Sequence, residues 1–259
     1  MGTPTQASTS PRRAPAIVRI GCAGWAIGAR HRALFGAGDS VLTRYATLFD
    51  CVEVNSSFYR SHRRDTYARW ARSVPDTFRF SVKLPRAITH EAGLRGCGAA
   101  LDRFFDETAG LGTRLGCVLV QLPPSRAFDA RVAATFLAML RRRHAGAVAL
   151  EPRHASWFQP AADALLRRHR IARVAADPAP VAAAGQPGGH AAPRYWRWHG
   201  TPRVYYSAYD DATLARFAAA VSAEPRRTHW CIFDNTAHGH AIADALRLRE
   251  LLSRHARGD

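Results

Sequence analysis

The chain has 259 residues, 47% of them hydrophobic, and a formal net charge of +17. That length and apolar content can bury a sizeable core, which excludes a chain disordered throughout, and no window approaches the roughly 18 consecutive apolar residues of a membrane helix. The five cysteines, Cys22, Cys51, Cys97, Cys117 and Cys231, are odd in number and show no CxxC spacing; this argues against a disulfide scaffold and for a soluble, cytoplasmic protein with reduced thiols.

Residues 1–16 open with "MGTPTQASTSPRRAP", which is polar, rich in Ser, Thr and Pro, and lacks the apolar run of a secretory signal. A disordered tail is expected there, and a single domain over 17–257. Within that domain β-rich runs alternate with segments whose apolar residues recur at three-and-four spacing. A strand over 17–22 precedes a helix over 41–49, and a strand over 51–55 precedes a helix over 66–73. Strands over 78–83, 117–122 and 147–151 are each followed by a helix, over 99–111, 130–143 and 159–169. After a strand over 172–177, the stretch "PAPVAAAGQPGGHAAP" (178–193) is too rich in Pro and Gly to hold a helix. Strands over 194–199 and 229–235, with helices over 213–222 and 241–255, complete the pattern.

Eight strands alternating with about seven helices predict a (β/α)8 TIM barrel whose sixth helix is replaced by a Pro/Gly-rich loop. A doubly wound open sheet is the alternative, but no G-x-G-x-x-G follows the first strand and no Walker loop occurs.

Strand parity suggests where a site would lie. In "FRFSVK", Phe78, Phe80 and Val82 share one face while Arg79, Ser81 and Lys83 share the other. The same count puts Glu53 with Asn55, Lys83, Gln121, Glu151, Asp177, Arg197 with His199, and Asn235 at or near the C-terminal ends of strands, opposite hydrophobic pairs such as Val52/Val54, Val118/Val120 and Trp196/Trp198. Polar groups gathered there would converge on the end where barrels carry active sites.

The charge is read by its distribution. Of 37 basic residues only Lys83 is a lysine, and with abundant alanine this marks a compositional bias that explains much of the arginine. Clusters at 141–144 and 167–170 fall at helix ends, where positive charge complements the helix dipole. Against that bias, Lys83 marks a position where a compact ammonium with an adjustable pKa is wanted in place of a planar fork.

With these residues in view the chain resembles, from about Ile17 to Leu252, the YecE-like family, domain of unknown function 72. The likeness is carried by "IGCAGW" (20–25), "VEVNSSFYR" (52–60), "FRFSVKLPRAITH" (78–90), "LVQLPPS" (119–125), "LEPRHASW" (150–157), "WRWHG" (196–200) and "FDNTAHGHA" (233–241). The resemblance implies a TIM barrel of the xylose-isomerase and endonuclease-IV type and a pocket built from Glu53, Asn55, Lys83, His90, Gln121, Glu151, Arg153, His154, Asp177, His199 and Asn235; it implies no particular reaction. The stretch after Trp25, "AIGARHRALFGAGD", lacks the Tyr and Trp that family members often place there, and the sixth connection matches poorly.

The expected function is an enzyme acting on a small phosphate- or carboxylate-bearing molecule by acid/base chemistry. Glu53, Lys83, Glu151 and Asp177 are the candidate catalytic residues, and Asn55, Tyr59, His90, Gln121, Arg153, His154, Arg197, His199 and Asn235 the candidate substrate-binding residues. Basic loop residues Arg30, Arg32, Arg60, Arg63, Arg64 and Arg86 are expected around the mouth. No motif calls for a cofactor. A divalent metal on Glu53, Glu151, Asp177 and His199 is the oxygen-rich possibility, though Lys83, Arg153 and Arg197 would repel it. A nucleic-acid-binding or phosphodiester-processing protein is the other reading, with Phe58, Tyr59, Tyr205, Tyr206 and Tyr209 as stacking platforms beside the basic loops. No membrane partner is expected.

Overall fold

The computed structural model describes residues 17–257, so the expected tail lies outside the described residues. The chain runs β1 (Val18–Cys22), α1 (Val41–Tyr45), β2 (Cys51–Val54), α2 (Ser56–Tyr59), α3 (Arg64–Arg72), β3 (Arg79–Lys83), α4 (Gly98–Thr108), β4 (Leu115–Gln121), α5 (Ala130–Arg143), β5 (Val148–Glu151) and α6 (Pro160–Arg168). It continues through β6 (Ala172–Arg173), β7 (Ala175–Asp177), β8 (Gly188–Gly189), β9 (Arg194–Trp198), α7 (Asp211–Ser222), β10 (His229–Phe233) and α8 (His240–Arg257).

This is an α/β fold built on parallel strands. One sheet has the order β1-β10-β9-β7 and the other β2-β3-β4-β5-β6-β8, all pairs parallel except β6 with β8. At one seam an isolated parallel bridge joins Ala23 to Glu53, reinforced by the Gly24 N–H donating to the Glu53 carbonyl at 2.8 Å. At the other, β6 and β7 are separated by Val174 alone, β6 pairing with β5 and β7 with β9. β1 and β2 approach so closely that a Cβ at Gly21 would lie 2.2 Å from the Cys51 carbonyl oxygen, so only glycine fits there.

The helices form for local reasons. At α5 the Asp129 side chain accepts from the Val132 N–H at 3.0 Å, capping a first turn with no intrahelical partner. Ala133, Phe136, Leu137 and Leu140 then repeat at i, i+3, i+4 and i+7 and are buried; each large member contributes about 1.5–3 kcal/mol on leaving water. Pro160 opens α6 at a position whose N–H would be unpaired anyway. The sixth connection holds only a 3-10 turn, Ala182–Gly185, and the two residues of β8. Two features differ from expectation: the strand over 172–177 is interrupted at Val174, and Ser56–Tyr59 closes into a helical turn where a plain loop was expected.

Hydrophobic residues divide by strand parity. Val52, Val54, Val82, Val118, Val120, Trp196 and Trp198 pack against the helices in the larger core. Cys51, Cys117, Leu119, Ala149, Ala172, Val174, Tyr195, Trp230 and Ile232 form a second cluster on the opposite strand face. All five cysteines are buried and unpaired with one another. Among the described residues no helix is long and apolar enough to cross a membrane.

Candidate functional site

The inward parity of the second cluster continues past its apolar members into a lattice of charge at the C-terminal strand ends. Its hub is Arg197 of β9, 1% exposed. Its Nη2 and Nε donate to Glu53 Oε1 and Oε2 of β2 at 2.7 and 3.0 Å, a bidentate pair. Nη1 donates to Glu151 Oε2 of β5, and Nη2 also reaches Asp234 Oδ2, just past β10, at 2.9 Å. Tyr195 Oη lies 2.8 Å from both Glu53 Oε2 and Ser81 Oγ. Having one proton, the phenol donates it to the carboxylate and accepts from the serine hydroxyl. Arg153 Nε donates to the remaining Glu151 oxygen at 3.0 Å.

His199 lies between two acids. Its Nδ1 is 3.0 Å from Asp234 Oδ2, and its Nε2 is 3.3 Å from Glu151 Oε1, near enough for charge attraction but without hydrogen-bond alignment. Burial disfavours the imidazolium, but Glu151 and the Asp234 hydrogen bond outweigh it and raise the His199 pKa. Burial likewise opposes the charged carboxylates of Glu151 and Asp234; Arg197 and His199 overcome it in both, and Glu151 is held well below the usual range.

Lys83, on β3, is 8% exposed, and its Nζ stands 4.2 Å above the Phe58 ring. Among the described residues no carboxylate lies within ion-pair distance of it, because the three nearby acids are all engaged by Arg197. Burial first, and then Arg197, push its pKa down to about 8 despite the attraction of Glu53, Glu151 and Asp234. His90, on the π-helical turn Ala87–Glu91, packs edge-on to Phe58 at 4.9 Å. Its pKa is lowered by burial and then by Lys83, Arg86, Arg153 and Arg126, so the rim around it is electropositive. A cavity of about 330 Å3 opens beside the lattice, walled by Glu151, Arg153, His199 and Ala176 and roofed by Pro178 and Pro180.

The structure thus brings together Glu53, Lys83, Glu151, Arg153, Arg197 and His199, with His90 at the rim. Gln121 is paired in register with Glu151, its amide donating to the Leu122 carbonyl at 3.1 Å. Asn55 caps the start of α2 with its Oδ1 buried and without a hydrogen-bond partner among the described residues. His154 is occupied in its own turn, accepting from the Ser156 N–H at 3.2 Å, and Tyr59 is 75% exposed at the end of α2.

Two expected members are elsewhere, and the cause is strand phase. On β6 and β7, Ala172 and Val174 belong to the second cluster and Ala176 lines the cavity with Glu151 and His199, so Asp177 points the other way, accepting from Thr201 Oγ1 at 2.7 Å and Tyr209 Oη at 2.9 Å. On β10 the inward series Trp230, Ile232 leads to Asp234. Asn235 lies one step out of phase, its Nδ2 donating to Ser207 O at 2.9 Å and Asp244 Oδ2 at 2.6 Å. Asp234 is the lattice member that the sequence reading missed, although the alternation Trp230, Ile232, Asp234 was there to find it. The proposed metal set is correspondingly not assembled. The Asp177 carboxylate is engaged by Thr201 and Tyr209, both Glu53 oxygens are engaged by Arg197, and no group of three or more His, Cys, Asp or Glu side chains among the described residues is arranged to hold an ion.

Residues 19–258 match the family model described as "Protein of unknown function DUF72". The chain belongs to the DUF72 family. It is 33% identical over 107 residues to the UPF0759 protein YecE of Escherichia coli strain K12, a match covering 41% of this chain and 38% of YecE, so the alignment spans well under half of that relative. Among solved structures it is similar to a DUF72 family protein of Enterococcus faecalis V583, with TM-score 0.76 and 21% identity over 92% of this chain and 96% of that one. A DUF72 protein of Thermotoga maritima MSB8 is similar with TM-score 0.75 and 23% identity, covering 92% and 99%. At these identities the likeness to the two DUF72 structures speaks to the fold alone.

Proposed function

We propose that this DUF72 chain is an enzyme that binds a small phosphate- or carboxylate-bearing molecule at the C-terminal ends of its strands and acts on it by proton transfer. The frame for that reading is one closed ring of eight parallel strands, with β6 and β7 as a single broken stave and a loop in place of the sixth helix. The Ala23–Glu53 bridge and the shared run from Ala172 to Asp177 support it, since they join the two sheets at both seams.

The observation that carries the functional reading is Lys83. A buried ammonium with no carboxylate of its own, its pKa pushed to about 8, is partly neutral near pH 7 and can give or take a proton. In the charged form it attracts an anion together with Arg153, and the free Asn55 Oδ1 offers an acceptor to a ligand hydroxyl or amine. Glu151 and His199 line the cavity as a polarised pair whose proton is shared toward bound substrate. Glu53, with both oxygens engaged, positions Arg197 and is not expected to touch substrate.

A panel of phosphorylated and carboxylated metabolites, with neutral analogues, screened by ligand-observed NMR at pH 7 tests the reading. Anionic hits that vanish with Lys83→Arg and with Arg153→Gln, both folded, support it. Hits that are neutral, or that bind Lys83→Arg as they bind the wild type, remove Lys83 from the site.

A further inference from the structure

A second concavity lies at the opposite, N-terminal ends of the strands. It has a volume of about 410 Å3, is floored by Trp230 and walled by Arg19, Arg79, Arg141, Arg170 and His190. Gly116 keeps the floor open, because a Cβ there would meet the Trp230 ring at 2.6 Å and Arg79 Cβ at 2.9 Å.

The compositional preference for arginine explains why arginines are numerous but not why they gather unpaired here. Elsewhere the pattern is pairing: Arg86 with Glu91, Arg95 with Asp129, Arg143 with Asp102 and Arg247 with Asp211. In the basin the guanidiniums are instead held by carbonyls. Arg141 donates to the carbonyls of His169, His144, Gly146 and Arg170 at 2.6–3.1 Å, and Arg79 to those of Asp76 and Phe78 at 2.7 and 2.8 Å. Carbonyls orient a guanidinium without neutralising it. Asp50, 3.4 Å from Arg19, is the one carboxylate within ion-pair distance of the four arginines among the described residues. Four cations against one anion leave a net charge of about +3 around one hollow, a convergence that is unfavourable until a counter-charge enters it. The surroundings respond accordingly: Arg79 is pushed down by burial and by Arg19 and Arg114, and His190 by burial and by Arg170 and Arg141.

We propose that this basin is a binding site for a compact, multiply charged phosphate anion, separate from the Glu53–Arg197 lattice at the other end of the strands. Carbonyls occupy Arg79 only through Nη1, so its Nε and Nη2 fork stays free for phosphate oxygens, while Arg141, with four of its five N–H groups bonded, contributes mainly its fixed charge.

Inorganic pyrophosphate titrated calorimetrically into Lys83→Met protein, at constant ionic strength set with chloride, isolates the basin from any anion site at the mouth. Saturable one-site binding is expected, weakened about a hundredfold when Arg79→Gln and Arg170→Gln are added, since each substitution removes a charge-assisted contact worth on the order of tenfold. Arginine modification by phenylglyoxal on the unsubstituted protein, read by peptide mass, gives a second measurement independent of mutant folding, and pyrophosphate should protect Arg79 and Arg170. Absence of binding above the chloride background, equal binding by the substituted protein, or unprotected Arg79 and Arg170 would each overturn the proposal. Because the titration starts from a Lys83 variant, its failure leaves the reading of the mouth untouched.

Discussion

Lys83→Met is expected to make the protein more stable while removing ligand binding. The lysine pKa falls from 10.5 to about 8 on folding. That drop corresponds to about 3 kcal/mol, the margin by which the folded environment disfavours the ammonium relative to the unfolded chain. Since the folded pKa is the lower one, the unfolded state holds more protons between pH 8 and 10.5. The destabilisation is therefore complete below about pH 8 and is relieved as pH rises from there to 10.5. Methionine has a similar length and no charge, so at pH 7 the variant should melt roughly 6–12 °C higher, at about 2–4 °C per kcal/mol for a chain of this size. At pH 10.5 the gap should nearly close. Because Lys83 is the only lysine, selective Nζ and Cε isotope labelling gives one side-chain resonance, whose titration should centre near pH 8. A midpoint near 10.5, or a variant that melts at or below the wild-type temperature at pH 7, would refute the reasoning.

Glu151→Gln should cost about 3–5 kcal/mol in denaturant unfolding, because it leaves Arg197 and Arg153 short of a buried counter-charge. Glu151 is held well below the ordinary glutamate value of 4.5, so the wild-type advantage is present above that value and fades as acid protonates the folded carboxylate; an advantage that persists unchanged far into acid would contradict the ion lattice. Asp234→Asn should alter anion affinity at the mouth, because it removes a negative charge and an acceptor shared by Arg197 and His199, whereas Asp177→Asn should change only stability, by about 1–3 kcal/mol through its bonds to Tyr209 and Thr201. Equal changes of binding in the two would erase the distinction drawn from strand phase. Single-stranded oligonucleotide binding at low salt should disappear by about 0.15 M and be indifferent to Tyr59→Ala; salt-resistant binding that depends on Tyr59 would favour the nucleic-acid reading.

How far the site was legible depended on contrast within each strand. In "FRFSVK" and "WRWH" polar and apolar residues alternate, so the phase is plain and Lys83, Arg197 and His199 lie on the face opposite Val82, Trp196 and Trp198. The run from Ala172 to Ala176 has small or apolar residues at four of its five positions, and from Trp230 to Phe233 every residue is apolar. With nothing to separate inward from outward, the pattern alone does not tell the facing of Asp177 or choose between Asp234 and Asn235. The helices were readable from their apolar stripes, with end shifts of one to a few residues. The meeting of Phe58 with Lys83 was not readable, because it depends on the single turn of α2, too short to show a period.

The Arg197 hub also bears on the order in which the chain can assemble. Its acidic partners lie 144, 46 and 37 residues away in sequence, on β2, β5 and the end of β10. A partly folded chain that has docked β9 without β2 or β10 holds a buried guanidinium with missing counter-ions, and is disfavoured until both arrive. Charge at the centre thus acts as a late checkpoint, tying the first strands to the last before the interior can close.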